Sequence, residues 1–143
     1  MSGERHTTRI FSSVSVGDEL PPLEVPLSRT LIVATAIASR DYQDVHHDPE
    51  LAQKRGAPDI FMNILTTNGF VGRFVTDWTG PEARLRKVEI RLGVPNYPGD
   101  TMILEGSVTA KDESSGVIEV SLCGRNGIGD HVTGKVWVSL PCN

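Results

Sequence analysis

Ile60-Phe61-Met62-Asn63-Ile64-Leu65-Thr66-Thr67-Asn68-Gly69-Phe70-Val71-Gly72-Arg73-Phe74-Val75-Thr76 is the one long stretch of the chain with helical periodicity. Ile60, Phe61, Ile64, Leu65, Val71, Phe74 and Val75 recur at intervals of three and four, which predicts a helix over about 60–76 with a broad apolar face that something must cover. Gly69 and Gly72 each cost about 0.8–1 kcal/mol relative to alanine in a helix, so another backbone is expected to come close there. Asp77-Trp78-Thr79-Gly80-Pro81 ends the helix. Beyond it the period changes from helical to twofold. In Leu85-Arg86-Lys87-Val88-Glu89-Ile90-Arg91-Leu92, the residues Val88, Ile90 and Leu92 face one way and Lys87, Glu89 and Arg91 the other. Turns at Asn96–Asp100, Asp112–Gly116 and Gly127–Asp130 separate three further strands, Met102–Lys111, Val117–Arg125 and Val132–Leu140.

Upstream, residues 1–14 are polar without a sustained period and are expected to form a flexible arm, leaving 15–143 as a single domain. A first strand is expected over Leu23–Ile32, followed by a short helix over Ala34–Ser39. Asp48-Pro49-Glu50-Leu51-Ala52-Gln53-Lys54-Arg55-Gly56 predicts a second short helix with Asp48 as its cap, Pro49 at its first position and Gly56 as its stop. One early strand, one long helix and four late strands make an α+β chain. Its antiparallel sheet is expected to curl around the long central helix, with an oligomer partner on the other face.

With 143 residues, 38% of them hydrophobic and 22% charged, the chain is one ordinary domain with apolar runs too short to span a bilayer. Fourteen Lys and Arg against eighteen Asp and Glu give a net charge of −4, which offers a polyanion such as nucleic acid no general attraction. The start, Met1-Ser2-Gly3-Glu4-Arg5-His6, lacks an apolar signal core, and Cys123 and Cys142 lack metal-type spacing. A cytoplasmic location is the resulting expectation.

The chemistry concentrates in Arg40-Asp41-Tyr42-Gln43-Asp44-Val45-His46-His47-Asp48-Pro49, which carries three aspartates and two of the four histidines. Three readings compete: a metal site, a proton-transfer pair and helix-start chemistry. Adjacent side chains such as His46 and His47 rarely converge on one ion, and no His-Glu-x-x-His or cysteine cluster supports a metal. Asp48 is accounted for as a cap, and Asp44 as an aspartate closing the bend. Asp41 and His46, five residues apart across that bend, either share a water in one cleft or form a structural pair; imidazole titrates near neutrality and suits the first task. No nucleophile elbow or phosphate-binding glycine loop is present.

With Asp41-x-x-x-x-His46, His47-Asp48-Pro49, a following apolar helix and a late antiparallel meander, the chain resembles the MaoC-like (hydratase 2) branch of the hot-dog fold. The usual pattern, Gly-Asp-x-Asn-Pro-(apolar)-His, keeps its Asp and His here, while Arg40, Gln43 and Asp44 replace its Gly, Asn and Pro and Val45 fills the apolar position before His46. Within that family the likeness is to the small subunits of actinobacterial heteromeric enoyl-CoA hydratases of cholesterol side-chain degradation, through Asp59–Thr66, Val75–Trp78, Arg91–Pro95 and Gly129–Val132 among other stretches.

The resemblance implies a hot-dog domain, with Asp41 and His46 as the hydration pair acting on a steroid side-chain enoyl-CoA. It implies no cofactor and no metal, since coenzyme A is part of the thioester substrate. A second MaoC-like chain, in a heterodimer or heterotetramer, would complete the cleft, and a lipid-transfer-protein-like aldolase could join for the following step. Where the family often begins the helix with His-Gly, this chain has Met62-Asn63; these two, with Arg84, Arg86 and Lys87 for the CoA phosphates, are the expected substrate contacts. A noncatalytic acyl-CoA-binding partner subunit and a dehydratase running in reverse are the other readings.

Overall fold

The computed structural model of the chain describes residues 7–142. Its strands are β1 (Glu19–Pro26), β2 (Arg84–Leu92), β3 (Thr101–Asp112), β4 (Val117–Asn126) and β5 (Gly129–Ser139), and its α-helices are α1 (Arg29–Ala38), α2 (Pro49–Lys54) and α3 (Ile64–Thr79). All five strands join one antiparallel sheet in the order β1-β3-β4-β5-β2. β3, β4 and β5 form the expected meander, within about one residue of the expected bounds at their starts or ends except for the start of β5.

The expected curling of the sheet around the helix is not what forms. The sheet is open, because β1 and β2 each have a single strand neighbour, and α3 lies against one face, meeting β1, β2 and β5. One-sided alternation requires only that a face be covered, and a helix laid across an open sheet meets that requirement. Val71, Phe74 and Val75 of α3 join Met102, Leu104, Val108, Ile118, Val120, Leu122, Val136 and Val138 of the sheet in a single buried cluster.

β1 starts and ends earlier than expected. It is an edge strand, where Pro21 and Pro22 leave no central ladder bond unmade, and its register with β3 shifts between Leu20 and Leu23. The β-branched run that favours a strand over Thr30–Val33 instead lies in α1. Ser28 Oγ accepts from Leu31 N at 3.0 Å, and Ile32 and Ala36 are fully buried, so a cap and a packed face override local propensity. The long helix begins at Ile64 because Asn63 caps it. Ile60–Met62 are not helical: Phe61 N donates to Val45 O and Met62 N to Asn96 O.

Residues 1–6 of the expected arm lie outside the described residues. Farther along it, Phe11 and Val14 are buried in the core, and Arg9 N donates to Thr79 O at 2.8 Å.

Gly134 of β5 faces Ile90 of β2, and a Cβ there would stand 2.3 Å from Glu89 O. Gly134→Ala is therefore expected to push the edge strand away and cost about 1–3 kcal/mol. Urea unfolding measures it; an unchanged midpoint would mean that β2 moves aside freely.

Candidate active site

Asp41 owes its position to the way α1 ends. Ser39 caps the helix, Arg40 takes a left-handed conformation at φ 56°, Arg40 N donates to Ile37 O, and Asp41 N reaches back to Ala36 O, both at 2.9 Å. This is the Schellman stop, in which glycine usually holds the left-handed position. The chain reverses there and brings the Asp41 carboxylate back beside the start of α3.

His46 sits on a 3-10 turn, Asp44–His46. Arg55, just past α2, grips Asp44 through two contacts of 2.8 Å, and Asp48 N donates to Asp44 O at 2.8 Å, so the turn is tied to α2. Asp48 Oδ1 accepts from Leu51 N at 3.1 Å, as its reading as a cap requires. His46 is buried, with its ring 5.1 Å from that of Phe61 in an edge-on arrangement.

The two functional groups meet: His46 Nε2 lies 3.3 Å from Asp41 Oδ2, with the imidazole side chain 7% exposed and the carboxylate 23%. His46 Nδ1 is 2.7 Å from Phe61 O. A carbonyl oxygen can only accept, so Nδ1 carries hydrogen and Nε2 is the nitrogen turned to Asp41. A proton on Nε2 is shared with Asp41. Asp41 also accepts from Asn63 Nδ2 at 3.1 Å and from Gln43 N at 3.3 Å. The Asn63 amide, then the Gln43 amide and the nearby imidazole, hold the carboxyl below its usual range against the opposing effect of burial. The site therefore pairs an ionised carboxylate with an imidazole of defined tautomer.

An apolar groove of about 400 Å³ between α1 and α3 is lined by Thr35, Ala38, Leu65, Gly69, Phe70 and Arg73 together with Ser39 and Thr66, and reaches the pair only through Asn63, which Ser39 and Thr66 both contact. Ile64 and Leu65, at the start of α3, are each half exposed. In an isolated chain this is apolar surface beside a polar pair.

The other expected site residues are placed as follows. Met62 is buried, and its sulfur accepts from Asn96 Nδ2 at 3.6 Å. Asn63 is buried beside Asp41. Arg84, Arg86 and Lys87 are on β2, paired with the Trp137–Ser139 end of β5, while the start of α3 meets β5 at His131. Six to eight strand residues, about 20–26 Å, separate the two levels. Arg86 Nε donates to Ser139 Oγ, and Lys87 pairs with Glu89 and lies over the Trp137 ring. His47 is exposed. Among the described residues no group of three or more His, Cys, Asp and Glu side chains could hold a metal ion. No helix among them is long and apolar enough to cross a membrane.

Sequence reasoning gave no part to Ser39, Thr66 or the carbonyl of Phe61. It also gave no part to His131, just past the expected Gly127–Asp130 turn, whereas the residue is buried, its Nδ1 2.6 Å from Val94 O and its Nε2 2.8 Å from Thr67 Oγ1.

Residues 13–123 match the MaoC like domain family. The chain is 50% identical over 125 residues, 87% of its length and 95% of the relative's, to the 3-oxo-4,17-pregnadiene-20-carboxyl-CoA hydratase beta subunit of Mycobacterium tuberculosis. Among solved structures it is similar to a chain of the ChsH1–ChsH2 complex from Mycobacterium tuberculosis, at 50% identity and a TM-score of 0.85, covering 88% of this chain and 98% of that one. An (R)-hydratase from A. caviae involved in PHA biosynthesis has the same fold, with a TM-score of 0.80 at 24% identity over 90% of this chain and 98% of the other.

Proposed function

The chain belongs to the MaoC-like domain family, and on that premise we propose that it is the catalytic subunit of a heteromeric enoyl-CoA hydratase. Its substrate is a steroid side-chain enoyl-CoA, and water adds across the 2,3 double bond. The observation that carries this reading is the 3.3 Å approach of His46 Nε2 to Asp41 Oδ2, with the imidazole's other nitrogen committed to Phe61 O. The substrate class and the second chain are supported by the names of the relatives at 50% identity.

Conjugation to the thioester carbonyl makes the β-carbon electrophilic. A water held between Asp41 and His46 adds there, its proton passes to the pair, and the pair returns a proton to the α-carbon. One proton is taken up and one given back, so the pair ends as it began and no redox cofactor enters the balance. Negative charge moves onto the thioester oxygen during addition. The first amides of a helix have no acceptor within it, and at α3 Asn63 Oδ1 takes the Thr66 amide, which leaves those of Ile64 and Leu65 for that oxygen. One such donor lowers the barrier by about 2.7–4 kcal/mol.

Arg84, Arg86 and Lys87 are proposed as CoA-phosphate contacts of the assembled complex, since they are exposed on an edge strand. The cytoplasm is the proposed location, and the free thiols Cys123 and Cys142 suit a reducing compartment.

The test is copurification with MaoC-like chains, followed by hydration assays on steroid and straight-chain enoyl-CoAs. A mixed complex is expected to hydrate the steroid substrate, with the single chain at most about a hundredth as active. Equal activity of the single chain would remove the need for a partner, and activity on straight chains alone would remove the steroid assignment. The same copurification tests the lipid-transfer-protein-like aldolase.

A further inference from the structure

Asn63 stands where three parts of the site meet. The residue is 2% exposed. Oδ1 accepts from Thr66 N at 3.0 Å and from the Thr66 hydroxyl. A backbone N–H can only donate, so this contact decides which end of the amide is oxygen, and the NH2 end must face the other way. There it donates to Ser39 Oγ at 2.9 Å and to Asp41 Oδ2 at 3.1 Å. Ser39 directs its own hydrogen to the carbonyls of Thr35 and Ala36, at 2.8 and 3.0 Å, which leaves its oxygen to accept. Both amide hydrogens are thus committed inside the protein, and neither is left for a substrate.

The oxygen that Asn63 addresses, Oδ2, is the same one that faces His46. Without this donor, the contact from Gln43 N to Oδ1 at 3.3 Å is the carboxylate's remaining hydrogen bond from an uncharged group among the described residues. Resting on the reading of Asp41 and His46 as the hydration pair, we propose that Asn63 is a positioning residue that keeps the Asp41 carboxylate ionised and turned toward the imidazole, while locking the end of α1 to the start of α3.

The groups facing Asp41 are few. The 3-10 turn presents His46, the one charged or titratable partner within ion-pair distance among the described residues. α1 presents Ser39 and α3 presents Asn63, both uncharged, while Asp44 in the same turn is bound to Arg55. The Asn63 amide is the largest of the influences holding the Asp41 carboxyl below its usual range.

Asn63→Ser and Asn63→Asp test the proposal, because both are good helix caps and leave the start of α3 in place. Serine is too short to reach Asp41, and aspartate puts an acceptor where the donor was, so two carboxylates share one site and one of them holds its proton to higher pH. Two readouts decide: the pH profile of hydration by the assembled complex, and the NMR titration of the Asp41 side-chain carbon in the full chain. Asn63→Asp is expected to raise the acidic limb by about one pH unit or more. It should also lower kcat about tenfold, with KM changed less than about twofold. Asn63→Ser is expected to move both readouts the same way by less.

If both variants keep the wild-type profile and titration while Asp41→Asn is inactive, the positioning role fails and the hydration reading stands. If Asp41→Asn is fully active, the hydration reading fails, and the carboxyl titration still decides whether Asn63 holds that carboxylate. Should Asn63→Asp not fold, Asn63→Ser decides alone by the same two measurements.

Discussion

Hydration by the assembled complex is expected to fall by about 10²-fold or more when Asp41 is replaced by Asn, and by at least as much when His46 is replaced by Ala. Asp41→Asn keeps the size of the side chain and an oxygen that can accept from Asn63, so the change is confined to the charge that balances a proton on His46 Nε2. His46→Ala removes Nε2 itself, the one ring position not committed to Phe61 O. Neither side chain belongs to the hydrophobic cluster that holds α3 on the sheet, so assembly and CoA binding should survive and the loss should fall on kcat rather than KM. Because the two groups handle one proton between them, the double variant should be no worse than the poorer single variant. Multiplying losses would mean that the residues act separately, and retained hydration would return the pair to a structural role.

The parts of this site differ in how plainly the sequence announces them. Asp41 and His46 stand five residues apart around a bend, and their chemistry together suggests proton transfer. The Asp48 cap with Pro49 behind it is equally local, and forms as read. Asn63 is harder. Its position three residues before Thr66 signals a cap. Its bond to Asp41 spans 22 residues and arises only because Arg40 turns the end of α1 back toward α3. Glycine is the residue that usually marks such a turn, and here arginine occupies it, so the local signal is weak.

The same limit explains the fold. Alternation identified β2 and the turns between strands delimited β3, β4 and β5, since both signals depend on neighbours along the chain. Whether the sheet curls or stays open depends on what each edge strand meets, and alternation carries no information about that. The first half of α1 was hidden by Thr30, Ile32 and Val33, whose preference for strands yields to the Ser28 cap and to burial of Ile32 and Ala36, while the short helix expected over Ala34–Ser39 falls on its second half.

His131 carries the second large expected effect. It is 2% exposed and bridges two layers: Nδ1 donates to Val94 O beside the sheet, which leaves Nε2 to accept from the Thr67 hydroxyl in the second turn of α3. Thr67 stands four residues after the Asn63 cap, so this contact helps fix the helix start that positions Asp41. His131→Ala leaves the Val94 carbonyl without its donor and opens a cavity, and is expected to cost about 3 kcal/mol of stability, measured by urea unfolding at neutral pH. Burial pushes the His131 imidazole below its ordinary value, ahead of the opposing effect of the Val94 contact. The sign follows from proton uptake. Below about pH 6.5 the unfolded chain binds a proton that the folded chain refuses, so the stability from this residue is fully present above that pH and is lost as pH falls. His131→Gln cannot titrate and should have a shallower acid decline than wild type, by up to about 1.4 kcal/mol per pH unit. Parallel declines would mean that His131 becomes charged without breaking the link to Thr67, with the hydroxyl turning its hydrogen toward Asn63 O, 3.4 Å away, and accepting instead.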